Sequence, residues 1–305
     1  MKGLRMVIVC AAALSALCCA AVNPLREYIR LPQDMGLMYK DISPVTADGY
    51  KIKTWYIPAQ SMQEADSIGG RAVYRPYRPE YGVRPTIIFC NGDDANMSHA
   101  PLHFAKIFAC VYGFNVVTFD WRGFGRSTKF PMNSNYICHT EMLEDYRAVI
   151  EAVLEQPETD KFHVAVIGNS TGGCLSMMAI QRSGRIAAFV GRGIPTDLRE
   201  AARQMVMYAG RDSASLRMPA DFPMDEMPVK IAPQFYVPSL FIVGDRDTHT
   251  PMWMSRAIMD KMPEGVEKKL LVIENAGHGA SAAPEVVAED KVVTATVEFL
   301  RAVGF

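Results

Sequence analysis

The sequence predicts an α/β fold in which a mostly parallel central sheet of about eight strands is flanked by helices. From residue 37 to the end of the chain, segments with strand character alternate with segments of helical spacing. This alternation favours parallel strands joined by right-handed crossover helices. Several strand candidates are short apolar runs, namely IIF, VVTF, VAVI and LFIV, and such runs are typical of strands buried on both faces.

The first half of the chain contains four predicted strands and one predicted helix. Residues 36–43 and 51–57 read as two strands joined by the turn sequence TADG. Residues 59–85 are polar and contain two adjacent glycines and three prolines, which indicates a surface insertion. A buried strand at 86–90, a helix at 100–111 and a strand at 115–119 follow.

The second half continues the alternation. Helices are predicted at 140–154, 171–182, 196–208, 251–261 and 284–303, and strands at 162–167, 186–190, 239–243 and 269–273. Residues 211–238 are rich in proline, methionine and aspartate, and we expect them to be irregular. In such a sheet, ligands bind beyond the carboxyl ends of the strands, so the residues that follow each strand are the candidate site.

The composition fits one large domain without a nucleic-acid partner. Of the 305 residues, 49% are hydrophobic, which is enough for one large core. The 32 basic and 33 acidic residues give a net charge of −1, and no basic field for nucleic acid is present. We therefore expect a single domain over residues 23–305.

Residues 1–22 predict a secretory signal peptide and hence an exported protein, periplasmic or secreted. Lys2 and Arg5 form a positive head, residues 6–17 are apolar, and the following CCAA supplies small residues for cleavage. The apolar run is short for a membrane span, which needs about 20 residues, so we expect no stable span in the mature chain. A retained N-terminal anchor and a lipid-modified cysteine within CCAA are the alternatives.

Removal of this leader leaves four cysteines. Cys90, Cys110, Cys138 and Cys174 match no zinc-binding spacing. An exported protein could pair them in disulfides, whereas the apolar surroundings of Cys90 and Cys174 favour buried free thiols. The sequence leaves their redox state open, and it leaves the oligomeric state open as well.

A sharp strand-to-helix corner marks the candidate nucleophile. The run VAVI leads into Gly168-Asn169-Ser170-Thr171-Gly172, after which helical spacing begins. Such a corner makes the Ser170 hydroxyl protrude from the sheet edge but strains its backbone, and side chains at 168 and 172 would collide with the neighbouring turn. A phosphate-binding turn is the alternative, but the chain lacks the Gly-Lys-Ser/Thr ending and the dinucleotide glycine spacing.

A serine nucleophile needs a base and a carboxylate from other strand ends. Of the six histidines, His278 in NAGHGA lies directly after a strand and before the last helix, while His99 follows another strand and is its rival. In GDRDTHTP, Asp247 is favoured over Asp245 because it lies deeper in the loop and close to the Thr-Pro that opens a helix. Ser170, Asp247 and His278 are therefore the predicted catalytic residues.

Two backbone N–H groups are candidates for an oxyanion hole. One belongs to Thr171, because a new helix points its first N–H groups toward Ser170. The other belongs to Asp93 in NGDD, since Gly92 allows a tight turn after the strand IIFC. The acidic side chains of this loop either face solvent or favour a cationic substrate.

These residues give the chain a resemblance to the α/β-hydrolase superfamily over residues 37–305. The run DWRGFGRS at 120–127 resembles the Asp-Tyr-Arg-Gly-x-Gly-x-Ser segment of the prolyl-oligopeptidase and Bem46-like groups. The chain order Ser170, Asp247, His278 is also that of the superfamily. The resemblance implies an α/β-hydrolase fold, serine hydrolase chemistry by these three residues, and a loop formed by DWRGFGRS beside the site.

The chain departs from this pattern in two places. The oxyanion loop of the superfamily usually opens with His-Gly, but here it opens with Asn91-Gly92, so substrate contacts in this loop differ. Residues 190–238 are few for a large lid, so we expect a small lid or none, with the pocket covered by the methionine-rich stretch at 205–227. Those methionines either fill the core or form a binding surface.

The predicted function is a serine hydrolase that cleaves small-molecule acyl esters or thioesters through an acyl-enzyme, without a metal or an organic cofactor. A peptidase or amidase of the prolyl-oligopeptidase type is the first alternative, although no propeller or other gating domain is recognisable, which favours esters. A non-catalytic binding protein on the same fold is the second alternative, and the presence of all three triad residues argues against it.

Overall fold

The computed structural model describes residues 21–60, 67–68, 71–72, 82–93 and 95–305. Of the predicted leader, only Ala21 and Val22 fall within these ranges, so signal peptide, cleavage and export stay predictions. Val22 is 1% exposed and packs into the core. Among the described residues, no helix combines the length and the apolar character that a membrane span requires.

An eight-stranded sheet forms the centre of the molecule and confirms the predicted fold class. The strands are β1 (Lys40–Asp41), β2 (Thr54–Ile57), β3 (Ser67–Ile68), β4 (Arg71–Ala72), β5 (Arg84–Cys90), β6 (Asn115–Phe119), β7 (Thr159–Asn169), β8 (Ala188–Arg192), β9 (Ser239–Gly244) and β10 (Lys268–Ile273). The sheet order is β1-β2-β6-β5-β7-β8-β9-β10, and β3 and β4 form a separate pair. β2 is antiparallel to both of its neighbours, and the other pairs in the large sheet are parallel.

Helices cover both faces of the sheet. They are α1 (Ala100–Cys110), α2 (Met142–Leu154), α3 (Ser170–Ser183), α4 (Leu198–Ala209), α5 (Pro228–Ile231), α6 (Met252–Met259), α7 (Pro284–Val287) and α8 (Glu289–Ala302). Along β7, Val164 and Val166 belong to the core shared with α2 and α3, while Ala165 and Ile167 belong to the core shared with α1 and α8. Alternate side chains of a strand point to opposite faces, which explains why this strand is apolar throughout.

Two predicted elements differ from the observed ones by more than a few residues at their ends. The strand predicted at 36–43 is reduced to β1, because a short 3-10 helix at Pro32–Met35 precedes it and ends at Gly36 with φ +73°. The helix predicted at 284–303 is interrupted at Ala288, which has φ −147° and ψ 59°. No glycine or proline marks this second break, so the local sequence carried no signal for it.

The predicted surface insertion at 59–85 lies largely outside the described residues. Within it, β3 and β4 pair in antiparallel fashion. The region predicted to be irregular at 211–238 contains only single-turn helices, namely α5 and the 3-10 turns Ser213–Ser215, Met224–Glu226 and Ala232–Gln234.

The four cysteines that follow the leader are free thiols in the structure. Cys90, Cys138 and Cys174 are buried, and Cys110 is half-buried. Burial raises the pKa of the Cys90 thiol to about 12 and also raises the pKa of Cys138 and Cys174. Buried, protonated thiols are unreactive, so these side chains act as small apolar core residues.

Candidate active site

The corner between β7 and α3 holds Ser170 in a left-handed backbone conformation with φ +53°. This conformation is costly for any residue other than glycine. A Cβ at position 172 would lie 1.8 Å from the Asn91 carbonyl oxygen, and one at position 168 would lie 2.7 Å from the Gly173 Cα. The two glycines are therefore sterically required, as the sequence predicts, and the strained corner exposes the serine side chain at the end of the sheet.

The structure brings together the three side chains that the sequence singles out. The Ser170 Oγ lies 2.8 Å from the His278 Nε2, and the His278 Nδ1 lies 2.8 Å from the Asp247 Oδ2. The three residues follow β7, β9 and β10, whose carboxyl ends meet at one edge of the sheet. A hydroxyl, an imidazole and a carboxylate in this order can make a serine nucleophilic.

Asp247 is nearly inaccessible, with a side chain 1% exposed. Its Oδ1 accepts hydrogen bonds from the backbone N–H groups of His249 and Thr250, at 2.9 and 2.8 Å. Burial alone would raise the pKa of Asp247, but the hydrogen bond and charge of His278 and the donors from Thr250 hold it at about 2. The carboxylate is therefore ionised at neutral pH and fixed in its orientation toward the imidazole.

Of the two competing aspartates, only Asp247 meets His278. Asp245 is exposed, and its backbone N–H donates to the Ile273 carbonyl at 3.0 Å. Asp245 thus lies on the outer side of the loop, where it joins β9 to the end of β10.

The other histidines have separate surroundings. The rival His99 precedes α1, and His103 contacts Glu289 at 2.7 Å. His139 accepts a hydrogen bond from the Asn133 N–H, and His163 contacts Asp160. His278, whose Nε2 lies 2.8 Å from the Ser170 Oγ, is therefore the candidate base that the geometry favours.

Thr250 supports the imidazole in a way that sequence reasoning missed. Its hydroxyl donates to the Asp247 Oδ2 at 2.8 Å and lies 3.0 Å from the His278 Nδ1. Thr250 and Pro251 were interpreted only as the start of a helix. A threonine three residues after an aspartate is also a local signal for a hydrogen bond between the two side chains, and this signal was overlooked.

Arg192 is a second residue that sequence reasoning missed. It ends β8, and its Nη1 donates to the backbone carbonyl of His278, while its Nη2 donates to the Glu285 Oε1 at 3.0 Å. Both charged side chains are largely buried, at 12% and 10% exposed. The pair therefore joins β8 and α7 to the loop that carries the candidate base.

His249 covers one side of the imidazole of His278. The two ring centroids are 4.7 Å apart, with planes inclined by 41°. Burial, followed by the positive charge of His278, lowers the pKa of His249 to about 4. His249 is therefore neutral at pH 7 and forms a neutral wall beside the candidate base.

The predicted oxyanion residues lie against the serine. Thr171 is the second residue of α3, so its N–H is among the first four of the helix, which have no partner within the helix. The loop after β5 packs on the same corner: a Cβ at Gly92 would lie 3.8 Å from the Ser170 Cβ. The Thr171 hydroxyl donates to the Asp93 Oδ2 at 3.2 Å, which joins the two candidate donor residues.

The run DWRGFGRS forms a loop after β6, next to the oxyanion loop. Asp120 and Trp121 line a small recess together with Asn91 and Gly92. The Asp120 carboxylate accepts from the Met97 N–H at 2.7 Å and from the Tyr28 hydroxyl at 2.5 Å. This loop is therefore a rigid support beside the site.

Arg122 anchors the same loop from within. Its guanidinium is 0% exposed and contacts Asp145 at 2.8 Å and Asp48 at 2.6 Å. The hydrogen bonds from Arg122 are the main cause that lowers the pKa of Asp48 to about 2. The buried guanidinium therefore joins the buried Asp145 to the exposed Asp48, and these contacts hold the loop in place.

A cleft of about 540 Å³ opens above Ser170, within the range typical of small-molecule sites. The N-terminal segment forms part of its wall through Ala21 and Asn23. The Ala21 N–H donates to the Ser134 carbonyl at 2.7 Å, and the Asn23 N–H donates to the Asp93 carbonyl at 3.0 Å. Sequence reasoning missed this contribution, because no local pattern marks it.

The chain between β8 and β9 supplies the opposite wall as a small cap. Leu198, Ala201 and Met205 of α4 line the cleft, together with Leu216. Met227 is fully buried in the core. The methionine-rich stretch thus contributes one methionine to the cleft wall and another to the core.

Comparison with protein families gives one match that covers most of the chain. The model described as the prolyl oligopeptidase family matches residues 102–302. This range runs from α1 to the end of α8 and includes Ser170, Asp247 and His278.

Two proteins with related sequences are similar over about three quarters of the chain. The protein bem46 of Schizosaccharomyces pombe is 22% identical over 227 residues, which are 74% of this chain and 66% of bem46. YfhR of Escherichia coli K12 is 24% identical over 234 residues, which are 76% of this chain and 70% of YfhR. The chain therefore spans about two thirds of the length of these relatives.

Two solved structures show the same fold at low sequence identity. An esterase of Pyrococcus furiosus, Pf2001, superposes with a TM-score of 0.68 and 20% identity over 92% of this chain and 99% of its own. A puromycin-hydrolyzing peptidase of Mycobacterium tuberculosis superposes with a TM-score of 0.64 and 19% identity over 92% of this chain but only 42% of its own.

Proposed function

Since the chain belongs to the prolyl oligopeptidase family, within the α/β-hydrolase superfamily of hydrolytic enzymes, we propose that it is a serine hydrolase that cleaves acyl esters or thioesters. In this proposal Ser170 is the nucleophile, His278 the general base and Asp247 the carboxylate that orients it. The observation that carries the proposal is the continuous contact from the Ser170 Oγ through His278 to Asp247, with 2.8 Å at each step.

In the acylation step, the Ser170 Oγ attacks the carbonyl carbon of the ester while its proton passes to the His278 Nε2. Asp247 accepts the Nδ1–H of the imidazole and stabilises its charged form. The N–H groups of Thr171 and Asp93 donate to the oxygen that becomes negative, and losing one such donor costs about 3 kcal/mol at the transition state. His278 then protonates the leaving alcohol or thiol.

In the deacylation step, a water molecule enters from the cleft and attacks the acyl-enzyme. His278 removes its proton, and the collapse of the second tetrahedral intermediate returns the proton to Ser170 and releases the acid. The residues of the chain itself supply every proton transfer in this scheme, so it requires no cofactor.

Two features support ester cleavage over peptide cleavage. The superposition covers 99% of the Pyrococcus furiosus esterase but only 42% of the puromycin-hydrolyzing peptidase. Nearly the whole esterase is thus shared with this chain, whereas more than half of the peptidase has no counterpart in it, and this difference supports the esterase. The cap between β8 and β9 is small, which leaves the cleft accessible to a compact substrate. Peptidase or amidase activity is the second candidate, because the family carries the prolyl oligopeptidase description.

Labelling with a fluorophosphonate probe tests the nucleophile. We expect covalent labelling of the wild-type protein at Ser170 and no labelling of Ser170→Ala. Ser183 provides the matched control, since it is a half-buried serine at the other end of α3, and Ser183→Ala should label normally. A folded wild-type protein that fails to label would favour the non-catalytic binding protein, and labelling at another residue would contradict the assignment of Ser170 as the nucleophile.

A substrate panel separates the enzymatic candidates. We expect p-nitrophenyl esters of short to medium acyl chains to be cleaved with higher kcat/KM than aminoacyl p-nitroanilides. The reverse order would favour the peptidase, and loss of both activities in Ser170→Ala assigns them to one site.

We also propose that the leader at residues 1–22 is removed during export. Mass analysis of the protein from the periplasmic or extracellular fraction should give a mature chain that begins close to residue 23. Full-length protein in the membrane fraction would support the retained anchor, and a lipid-sized mass increment at the N-terminus would support the lipid-modified form.

A further inference from the structure

The cleft has two sides of different chemistry. On the cap side, Ile137, Leu198 and Leu216 present apolar surface, and each is less than one tenth exposed. On the side of the His278 loop, the lining residues are polar and include Arg246, Thr248 and His249. A substrate that fills this cleft has to offer an apolar part and a polar part.

Two arginines, Arg211 and Arg246, line the cleft. A main-chain hydrogen bond fixes the position of each residue. The Arg246 N–H donates to the Ala276 carbonyl at 2.8 Å, and its guanidinium donates to the side chain of Asn275, so it is fixed at the loop that carries His278. Arg211 lies just beyond the end of α4, where its N–H donates to the Met205 carbonyl at 3.1 Å. Both guanidinium groups are charged at any physiological pH.

Arg211 lies in the cap just beyond α4 and Arg246 in the loop before the candidate triad carboxylate, and both line the cleft that contains the candidate base. Arg211 is near enough to His249 to contribute to its lowered pKa, and His249 stacks on His278. Arg246 precedes Asp247 in the chain. Arg211 and Arg246 are the two arginines among the residues that line the described cleft.

The one acidic side chain among the residues that line the described cleft lies on the other side. Asp93 belongs to the oxyanion loop, where its carboxylate accepts the hydroxyl hydrogen of Thr171 at 3.2 Å. Asp247 is paired with His278 beneath the cleft floor. The charge of the cleft is therefore divided, with the cations beside His278 and the carboxylate beside the oxyanion donors.

The leaving group of an ester occupies the side of the imidazole, because His278 has to protonate its oxygen. Building on the serine hydrolase function proposed above, we propose that the preferred substrates carry an anionic group, a carboxylate or a phosphate, on the alcohol part of the ester. Arg211 and Arg246 bind this group. The acyl part lies toward the apolar cap wall. Guanidinium groups bind both kinds of anion through paired N–H donors.

Matched aryl acetates test this proposal. One is 4-acetoxybenzoate, whose leaving group is anionic, and the other is 4-acetoxy-N,N-dimethylbenzamide, whose leaving group is neutral. We expect the ratio of kcat/KM for the anionic over the neutral ester to be about tenfold higher in the wild-type protein than in the double variant Arg211→Gln/Arg246→Gln. Comparing ratios removes the intrinsic reactivity of each ester.

Three further arms make the result specific. The control variant Arg256→Gln removes an exposed arginine on α6 outside the cleft lining and should keep the wild-type ratio. Arg211→Lys should keep part of the preference, because the charge remains while the paired donors are lost. Raising the salt concentration to about 0.5 M should reduce the wild-type ratio, since partly exposed charges are screened.

The possible failures are distinguishable. Equal ratios in the wild-type protein and the double variant, with both esters cleaved and both activities lost in Ser170→Ala, would overturn the anionic alcohol while the serine hydrolase stands. A larger effect of the double variant on mono-4-nitrophenyl glutarate than on 4-acetoxybenzoate would place the anion on the acyl part and overturn the proposed orientation. A preference for (4-acetoxyphenyl)trimethylammonium would assign recognition to Asp93 instead. No turnover of any ester would overturn both proposals.

Discussion

Two networks of charged and ionisable side chains lie at the carboxyl edge of the sheet, and they differ in the group at which they end. In the first, Asp247 contacts His278, which contacts the Ser170 hydroxyl, and Ser170 lines the cleft. In the second, the fully buried Arg122 is held between Asp145 and Asp48 and has no exposed surface. Both combine aspartate with a cationic or ionisable nitrogen group, but only the first ends on a hydroxyl that faces the cleft.

Two buried aspartates at these strand ends respond to burial in opposite ways. Hydrogen bonds and the charge of the imidazole outweigh burial at Asp247 and hold its pKa at about 2. Burial dominates at Asp120 and raises its pKa to about 6, although Tyr28 and the Met97 N–H donate to it. The imidazole of His278 and the donors from Thr250 thus keep Asp247 ionised, whereas the two neutral donors at Asp120 do not offset its burial.

The largest expected effect breaks the first network. Asp247→Asn keeps the shape of the side chain but removes its charge and favours the wrong imidazole tautomer, so we expect kcat on esters to fall by about 10⁴-fold. Asp245→Asn makes the same chemical change at an exposed position two residues earlier and should stay within about twofold of wild type. Similar losses in the two variants would contradict the assignment of Asp247.

Disrupting the second network should lower the stability of the fold more than the activity. Arg122→Met leaves Asp145 as a buried charge without its partner, so we expect the free energy of unfolding to fall by about 3–5 kcal/mol, measured by urea denaturation. Activity per folded molecule should be far less affected than in Asp247→Asn. The exposed Arg126 in the same loop gives the control, and Arg126→Met should change stability by about 0.5 kcal/mol or less. A stable Arg122→Met variant with lost activity would place Arg122 in the catalytic network.

Arg192 shares features with both networks. It forms a largely buried ion pair with Glu285, and it also contacts the loop that carries His278. We expect Arg192→Gln to lower kcat by about 10²-fold while KM changes little, since a misplaced imidazole slows the chemistry more than binding. Arg192→Lys still carries a donor for the His278 carbonyl and should recover part of the loss. A change in stability alone, with normal kcat in the folded fraction, would show that the Arg192–Glu285 pair is only structural.

The smallest expected effect concerns Asp120 and pH. Its pKa is raised in the folded state, so the protonated carboxyl stabilises the fold at low pH, and this contribution is lost as pH rises from about 4 to about 6. As the pH rises across that window, the unfolding free energy of the wild type should therefore fall by about 2 kcal/mol relative to that of Asp120→Asn. A difference that stays constant from pH 4 to 7 would contradict the raised pKa. Asp247 and Asp48 titrate below this window, and Asp145, whose pKa burial raises to about 7, is present in both proteins, so its contribution cancels in the difference.

The sequence predicted the fold class and the meeting of three side chains because their signals are local. Ser170 lies between glycines at a strand-to-helix corner, and His278 and Asp247 directly follow apolar strand runs. Arg192 had no such signal, since its contact to the His278 carbonyl spans 86 residues and depends on how β8 packs beside β9. The break at Ala288 was missed because no glycine or proline marks it in the sequence.

The position of the N-terminal segment has a practical consequence for assays. Asn23, the first residue after the predicted leader, lines the cleft, so a purification tag fused directly ahead of it would emerge beside Ser170. Phe305 instead packs against His163 in β7, six residues before the end of that strand, or about 20 Å from its carboxyl end. Affinity handles and immobilisation linkers therefore belong on the C-terminus, where they leave the substrate entrance clear.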